Sequence, residues 1–444
     1  MRNIVSPLEG IRSPFGPRYG GFSPASLFAA GEQGVWYDPS DLTTMFQDSA
    51  GTTPVTAVEQ PVGRILDKSG RGNHATQSTT AARPVLSARV NLLTYSEQFD
   101  ISAAWKPFAA GTGINPVVTA NDAVAPNGTT TADKIVFDRG VGNTITDHSY
   151  IQQSVTVAVG STYAASFWIK AATAGDIGKQ LAYRSVASGS YTTVTLTASW
   201  QRLTLTEVAA LASPTVEFAS RGTVSSSNSV GVNLWGADLR PANQTTLLPV
   251  YQRIAAATDY DTTGFPFYLR FDGTDDSMAT GTITPGVDKA QVFAGVRKQS
   301  DAALGLAVEL SANLNLNVGS FALFAPVLSS SRRDYRFTSR GTISSAAETG
   351  DTFIAPITNV LGCFGDISGD IVTLRANGTQ VAQSTTDQGT GNYLAYPLYI
   401  GRRGGATLPF NGNLYSLIVR FGSNLDATTI SNTETWVNSK TLAY

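Results

Sequence analysis

Alternation of apolar and polar side chains runs through most of this chain and predicts strands. Phe265, Phe267, Leu269 and Phe271 alternate with Pro266, Tyr268 and Arg270. Such a run lays one greasy face on a core, and Asp272-Gly273 ends it in a tight turn. Ile151, Val155, Val157 and Val159 alternate, Gly160 turns the chain, and Tyr163, Ala165, Phe167 and Ile169 alternate again, which predicts a hairpin-like pair. Further strands are expected at 200–205, 232–235, 290–297, 321–325, 334–338, 371–376, 398–401 and 414–421. Asn377-Gly378 is a strong hairpin signal. One helix is expected near the end: Asp426 stands at the N-cap, Leu425 and Ile430 form a hydrophobic staple, and Ile430, Thr433 and Val437 share a face beside Trp436.

Residues 1–33 carry neither period. Pro and Gly recur every few positions, with Phe15, Tyr19, Phe22 and Phe28 between them. The aromatics are too many for a solvated tail, so an extended arm is expected, anchoring these four side chains in another subunit or protein.

Composition sharpens the picture. The chain has 444 residues, enough for two or three domains. Apolar content of 42% allows real cores, while only 14% is charged, against about 25% in an ordinary soluble domain. Thr, Ser, Gly and Asn fill the gap and favour strands and turns over helices. The net charge of −2 offers no basic field for nucleic acid. One cysteine, Cys363, excludes an intrachain disulfide framework. Two histidines, His74 and His148, leave little for a zinc site. MRNIVSPLEG has no basic region followed by an apolar run, and no stretch approaches about 20 apolar residues. Neither secretion nor membrane insertion is expected.

Several segments carry a family resemblance. The strand LRFDGTDDS is similar to the FDG-x-D-D strand of concanavalin-like and laminin-G-like β-sandwiches. GVWYDPSDL, ILDKSGRGNHATQ and ARPVL resemble the opening of laminin-G-like modules in phage and prophage proteins, and LYIGRRGGATLPFNGNLYSLIVRF resembles the closing strands. Between them, NLLTYSEQFDISAAW and GVNLWGADLRP resemble the start and close of a carbohydrate-binding-module-like jelly roll found in phage adhesins. SPLEGIRSPFG is similar to N-terminal segments of phage structural proteins. The resemblance implies an all-β chain: a laminin-G-like sandwich from residues 34–90 and 243–444, interrupted by a jelly roll at 91–242, preceded by the arm 1–33 and ending in a short helix. A loop insertion of this kind costs little, about 0.6 kcal/mol per doubling of loop length.

Candidate chemistry is sparse. Asp272, Asp275 and Asp276 fall in one turn and could hold calcium through oxygen ligands, as laminin-G-like relatives do; a solvated turn with local hydrogen bonds is the plainer account. A glycosidase needs two carboxylates flanking the scissile bond, yet Glu217, Glu309, Glu348 and Glu434 each stand alone in sequence. Asp147, His148 and Ser149 are adjacent, and neighbours in an extended segment point to opposite faces, so they form no local triad. Trp168 is out of phase with Phe167 and Ile169 and shares a face with Ser166 and Lys170. That pattern suits a sugar stacked on the indole with hydroxyls on the polar neighbours; a Trp packed under a loop is the alternative. Arg332-Arg333 and Arg402-Arg403 suit solvated turns, or contacts with acidic glycan or another subunit.

The function expected is that of a phage virion structural protein: a tail fibre, spike or capsid decoration. It would be anchored through residues 1–33 to other virion proteins and would present glycan-binding modules to the host surface, with avidity from repetition. No enzyme activity and no cofactor beyond possible calcium are expected. By analogy with fibres and spikes a homotrimer is favoured. The alternatives are a polysaccharide-degrading enzyme and an architectural subunit without ligand.

Overall fold

The computed structural model describes residues 22–187, 189, 191–224, 227–245, 251–255, 266–327 and 334–444. The chain is all-β with a single α-helix among the described residues, and every strand pairing is antiparallel. It divides into two compact units, one made of the residues up to Ala88 and from Thr263 to Tyr444, the other of Arg89–Thr262.

The first unit holds two sheets. The eight-stranded sheet runs in the order Thr379–Ser384, Ile371–Ala376, Ile357–Asp366, Lys289–Lys298, Asn411–Phe421, Tyr268–Asp272 and Val85–Ser87, and Gln33–Tyr37 also pairs with Asn411–Phe421. The nine-stranded sheet has Met278–Ile283, Tyr396–Ile400 and Leu306–Leu310 at its middle. Leu269, Phe271, Val292, Leu361 and Leu417 from one sheet and Phe321, Phe337 and Leu398 from the other share one core. Asn377 and Gly378, both at positive φ, turn Ile371–Ala376 into Thr379–Ser384, as a type I′ hairpin requires.

The eight-stranded sheet is covered on its outer face as well. Helix Ala427–Thr441 starts where Asp426 accepts a hydrogen bond from the Thr429 N–H (2.9 Å). It packs Val437 and Trp436 against Phe293, Val360 and Ile418. Leu27 and Phe28, from a short 3-10 turn at Pro24–Phe28, complete that layer with Phe22 at its margin. Arg420 ties the turn down through the Leu27 carbonyl (2.8 Å) and Glu32 (2.8 Å). This corrects the expectation for the arm: Phe28 is 2% exposed inside its own unit, Phe22 is partly buried beside it, and residues 22–33 belong to the fold. The physical reason is the apolar outer face of the sheet, which must be covered. Phe15 and Tyr19 lie outside the described residues.

The second unit is a sandwich of two five-stranded sheets. One runs Gln201–Val208, Thr162–Ala171, Ser229–Pro241, Ala132–Asp138, Ile114–Ala123; the other runs Thr192–Thr195, Gln180–Arg184, Thr215–Arg221, His148–Ser154, Lys106–Ala110. Phe137, Phe167, Leu234, Ile151, Phe218 and Trp105 fill the core. The expected hairpin across Gly160 is not formed. His148–Ser154 and Thr162–Ala171 lie in different sheets, and the segment between them crosses from one to the other. Val155 and Val157 alternate because they line the core along that crossing, their N–H groups bonded to the carbonyls of Pro214 and Ala212. The unit also extends past residue 242. Gln252 holds the amides of Val90 and Asn91 through its side-chain oxygen, and Ile254 bonds Ser96.

Candidate functional site

Trp168, Ser166 and Lys170 all point outward from strand Thr162–Ala171, opposite Phe167 and Ile169. Their surroundings differ. Trp168 is half-buried and packs with Trp235, Trp200 and Tyr251 around Ala125 and Ala132. Trp235 is anchored by its N–H to Thr131 Oγ1 (2.9 Å), and Tyr251 meets it edge-on at 4.6 Å. Lys170 places its ammonium 5.1 Å above the Trp200 ring. Trp168 is thus chiefly a packing residue, which is the alternative weighed for it.

Ser166 faces a cleft of about 220 Å³ on the same sheet face. Cross-strand register builds it: Ser166 stands opposite Thr204 and Asp238, and Ala164 opposite Thr206 and Arg240. Ala164 keeps the floor low. Arg240 donates through Nε to Asp238 (2.7 Å) and closes a fork with a second N–H, while the Gln252 N–H adds a bond to Asp238 (2.9 Å). Both side chains are buried, so this wall is fixed. Arg202, the register partner of Trp168, is exposed at the lip, with one guanidinium nitrogen 3.5 Å from Ser166 Oγ. The cleft therefore offers hydroxyls and guanidinium donors within reach of an aromatic cluster.

The acidic turn is formed as a turn. Asp272 accepts from the N–H groups of Thr274 (2.8 Å) and Asp275 (3.3 Å), and Asp276 accepts from the Asp272 N–H (3.0 Å). Gly273 has φ 74°, and a Cβ there would come within 2.7 Å of Asn411. Carboxylate oxygens of Asp272, Asp275 and Asp276 lie within 4.8 Å of one another. Burial, and then the charges of Asp272 and Asp275, push the Asp276 carboxyl up to about 7. The donor set suits a hard cation, but two of its carboxylates, those of Asp272 and Asp276, already serve the turn's own N–H groups.

The glutamates weighed for catalysis are each paired with arginine. Glu309 binds Arg403 (2.9 Å) and Glu434 binds Arg375 (2.7 Å); Glu348 pairs with Arg336, and Glu217 with Arg184 and Arg221. Arg402 reaches the Asp275 carbonyl at 3.5 Å, while Arg332-Arg333 lie outside the described residues. Asp147 does not serve His148. It caps a loop by accepting from Thr112 and Thr144, and these bonds, Thr144's first, hold its carboxyl well below the usual range. His74 accepts the Asp67 N–H at Nδ1 (3.0 Å), a structural role.

Sequence reasoning missed Arg202, Asp238 and Arg240, because register alone brings them to Ser166. It missed, too, a second set on the outward face of the other sheet: Phe108, Tyr150, Arg184, Tyr191, Glu217 and Arg221. The available signal was outward parity, since Tyr150 flanks the inward Ile151 and Glu217 lies between the inward Val216 and Phe218.

No protein-family model and no curated protein sequence matches the chain. Among solved structures, it is similar to domain 4 of AbnA, a GH43 extracellular arabinanase from Geobacillus stearothermophilus in complex with arabinotriose. There the identity is 14%, with 37% of this chain and 75% of that chain covered, at a TM-score of 0.29. It is also similar to the CBM40 of a Ruminococcus gnavus sialidase bound to α2,3-sialyllactose (14% identity, 35% and 97% covered, TM-score 0.27). A third similarity is to the enzymatically active domain of tailspike protein 4 from bacteriophage CBA120 (13%, 34% and 21%, TM-score 0.25). Likeness at this level speaks neither to a shared function nor to a shared site.

Proposed function

We propose that this chain is a phage virion structural protein, a fibre, spike or decoration subunit, whose sandwich modules hold host-surface glycan without cleaving it. The observation that carries the binding half is the cleft of Ser166, Thr204, Thr206, Arg202 and Arg240. A pocket needs a few convergent polar groups to orient a ligand. Here two hydroxyl-bearing strands and a lip guanidinium converge over a low Ala164 floor, beside the ring cluster around Trp168. At about 220 Å³ the cleft suits one sugar ring and implies weak binding, for which repetition on a particle compensates. The pairing of Glu217, Glu309, Glu348 and Glu434 with arginine supports binding over hydrolysis, since no two of them are left as an acid and base pair. The virion half rests on the sequence resemblances. In it, attachment to other virion proteins falls to the segment before Phe22, with Phe15 and Tyr19 as anchors.

The test uses the purified full chain on host cells and a glycan array, beside Arg202→Ala. Arg202 is exposed, so the variant should melt like the original protein and lose about tenfold or more in binding, the worth of one charge-assisted hydrogen bond. Unchanged binding overturns the cleft, and release of reducing sugar from host polysaccharide overturns the non-enzymatic reading. Antibody labelling of intact particles in the electron microscope tests the virion half; unlabelled particles overturn it.

A further inference from the structure

The outward face of the second unit's other sheet carries a different chemistry. Register places Phe108 beside Tyr150, Tyr150 beside Ala219, Ala219 beside Ala182, Glu217 beside Arg184 and Gln152, and Arg221 beside His148. All of these point away from the core, which the inward residues Ile151, Phe218, Val216, Leu181 and Tyr183 fill. A sandwich needs apolar side chains on its inner faces only, yet three aromatic rings stand outside. Phe108 stacks on Tyr150 (5.4 Å between centroids, 24° between planes) and is 41% exposed. The Arg221 guanidinium lies 5.8 Å from the Tyr150 ring and 4.7 Å from that of Tyr191, and Arg184 lies 4.9 Å from Tyr191.

At the centre sits Glu217, whose side chain is 1% exposed on an outer sheet face. It accepts from the Tyr191 hydroxyl (2.7 Å), Arg184 (2.7 Å) and Arg221 (3.0 Å). Burial and the Glu217 charge push the Tyr191 phenol up, so it remains a donor. Desolvating a carboxylate is costly, and apolar residues often stabilise such a position as well or better. What the arrangement achieves is orientation: one carboxylate fixes two guanidinium planes. Cross-strand stacking accounts for Phe108 and Tyr150 at about 0.2–1 kcal/mol, but not for this. Nor does it account for Arg184 Nε and His148 Nδ1, both buried and without a hydrogen-bond partner among the described residues. With Lys106 on the same outward parity, three cationic side chains stand with one carboxylate.

We propose that this face is a second saccharide site and that it takes a carboxylate-bearing sugar, a hexuronic-acid unit. The ring's apolar C–H face would lie on the Phe108–Tyr150 stack, and the carboxylate would meet the guanidinium groups positioned by Glu217. A neutral sugar leaves the charge on this face unused; an inorganic anion leaves the rings unused. The inference goes beyond the cleft on the opposite sheet and does not depend on it.

Calorimetric titration of the full chain with trigalacturonic acid and with its methyl ester tests it, because esterification removes the charge of each carboxylate at the cost of one added methyl group. The acid should bind about tenfold or more tighter than the ester, and added salt should narrow that gap. Arg184→Gln should reduce the acid to the ester's level. Phe108→Ala alters an exposed side chain on an edge strand, keeps the fold if Arg184→Gln does not, and should weaken both ligands severalfold. Arg202→Ala, in the cleft, should leave this binding unchanged. Equal affinity for acid and ester, undetected binding of the acid at about 10 mM, or a Phe108→Ala protein that binds like the original overturns the proposal.

Discussion

Asp276 makes the stability of the first unit depend on pH in a direction opposite to that of most carboxylates. Its side chain is buried behind the turn, beside Asp272 and Asp275, and its carboxyl is pushed up from 3.8 to about 7. The folded unit therefore holds this proton in a range where the unfolded chain has already released it. Stability from this group is fully present below about pH 4, declines as pH rises, and is lost above about pH 7. Three pH units at 1.36 kcal/mol each give about 4 kcal/mol between the two limits. In a unit of this size that is on the order of 10 °C in melting temperature. Asp276→Asn removes the titration and keeps a side-chain oxygen to accept the Asp272 N–H. Calorimetric melts of both proteins should therefore coincide near pH 4 and diverge up to about pH 7, with the variant the more stable. Groups that titrate in both proteins, Glu309 and His74 among them, cancel in the difference. Parallel curves from about pH 4 to pH 7 would refute the reasoning. Calcium provides a second reading at pH 8. With the Asp272 carboxylate committed to the Thr274 and Asp275 N–H groups and that of Asp276 to the Asp272 N–H, millimolar calcium should leave the melt where it is, and a clear rise would show a cation bound at the turn.

Two further perturbations separate packing from binding. Trp168→Ala should lower the stability of the second unit by about 2–3 kcal/mol, a part of the 3–5 kcal/mol of a fully buried Trp, read as a lower melting temperature; an unchanged melt with lost glycan binding would return Trp168 to the ligand. Phe28→Ala should destabilise the first unit by about 3–5 kcal/mol, and normal stability with lost incorporation into particles would make Phe28 an anchor after all.

What was legible in the sequence was whatever a local period encodes. Phe167 and Ile169 read as core because alternation is a property of one strand, and the Asp426 cap because it spans four residues. The misreadings arise where a second layer or a partner strand decides. Tyr268 reads as an outward residue of the strand Tyr268–Asp272, yet it is 1% exposed. Its ring meets Tyr415 at 5.1 Å, from the partner strand Asn411–Phe421. Nothing within ten residues of Tyr268 announces that contact. Val155 and Val157 show the converse: their alternation is real but serves a crossing between sheets, which no period distinguishes from a hairpin arm. The two proposed ligand faces were hidden for a related reason. Ser166, Thr204 and Asp238 span 72 positions, and Tyr150, Arg184, Glu217 and Arg221 span 71. Parity assigns each to an outward face, but only register decides which outward residues are neighbours. A one-residue slip of Thr215–Arg221 against His148–Ser154 would turn Glu217 and Arg221 together toward the core and release Arg184. Inward Val216 and Phe218 oppose that slip, so the same apolar pair that secures the core also secures the charged face behind it.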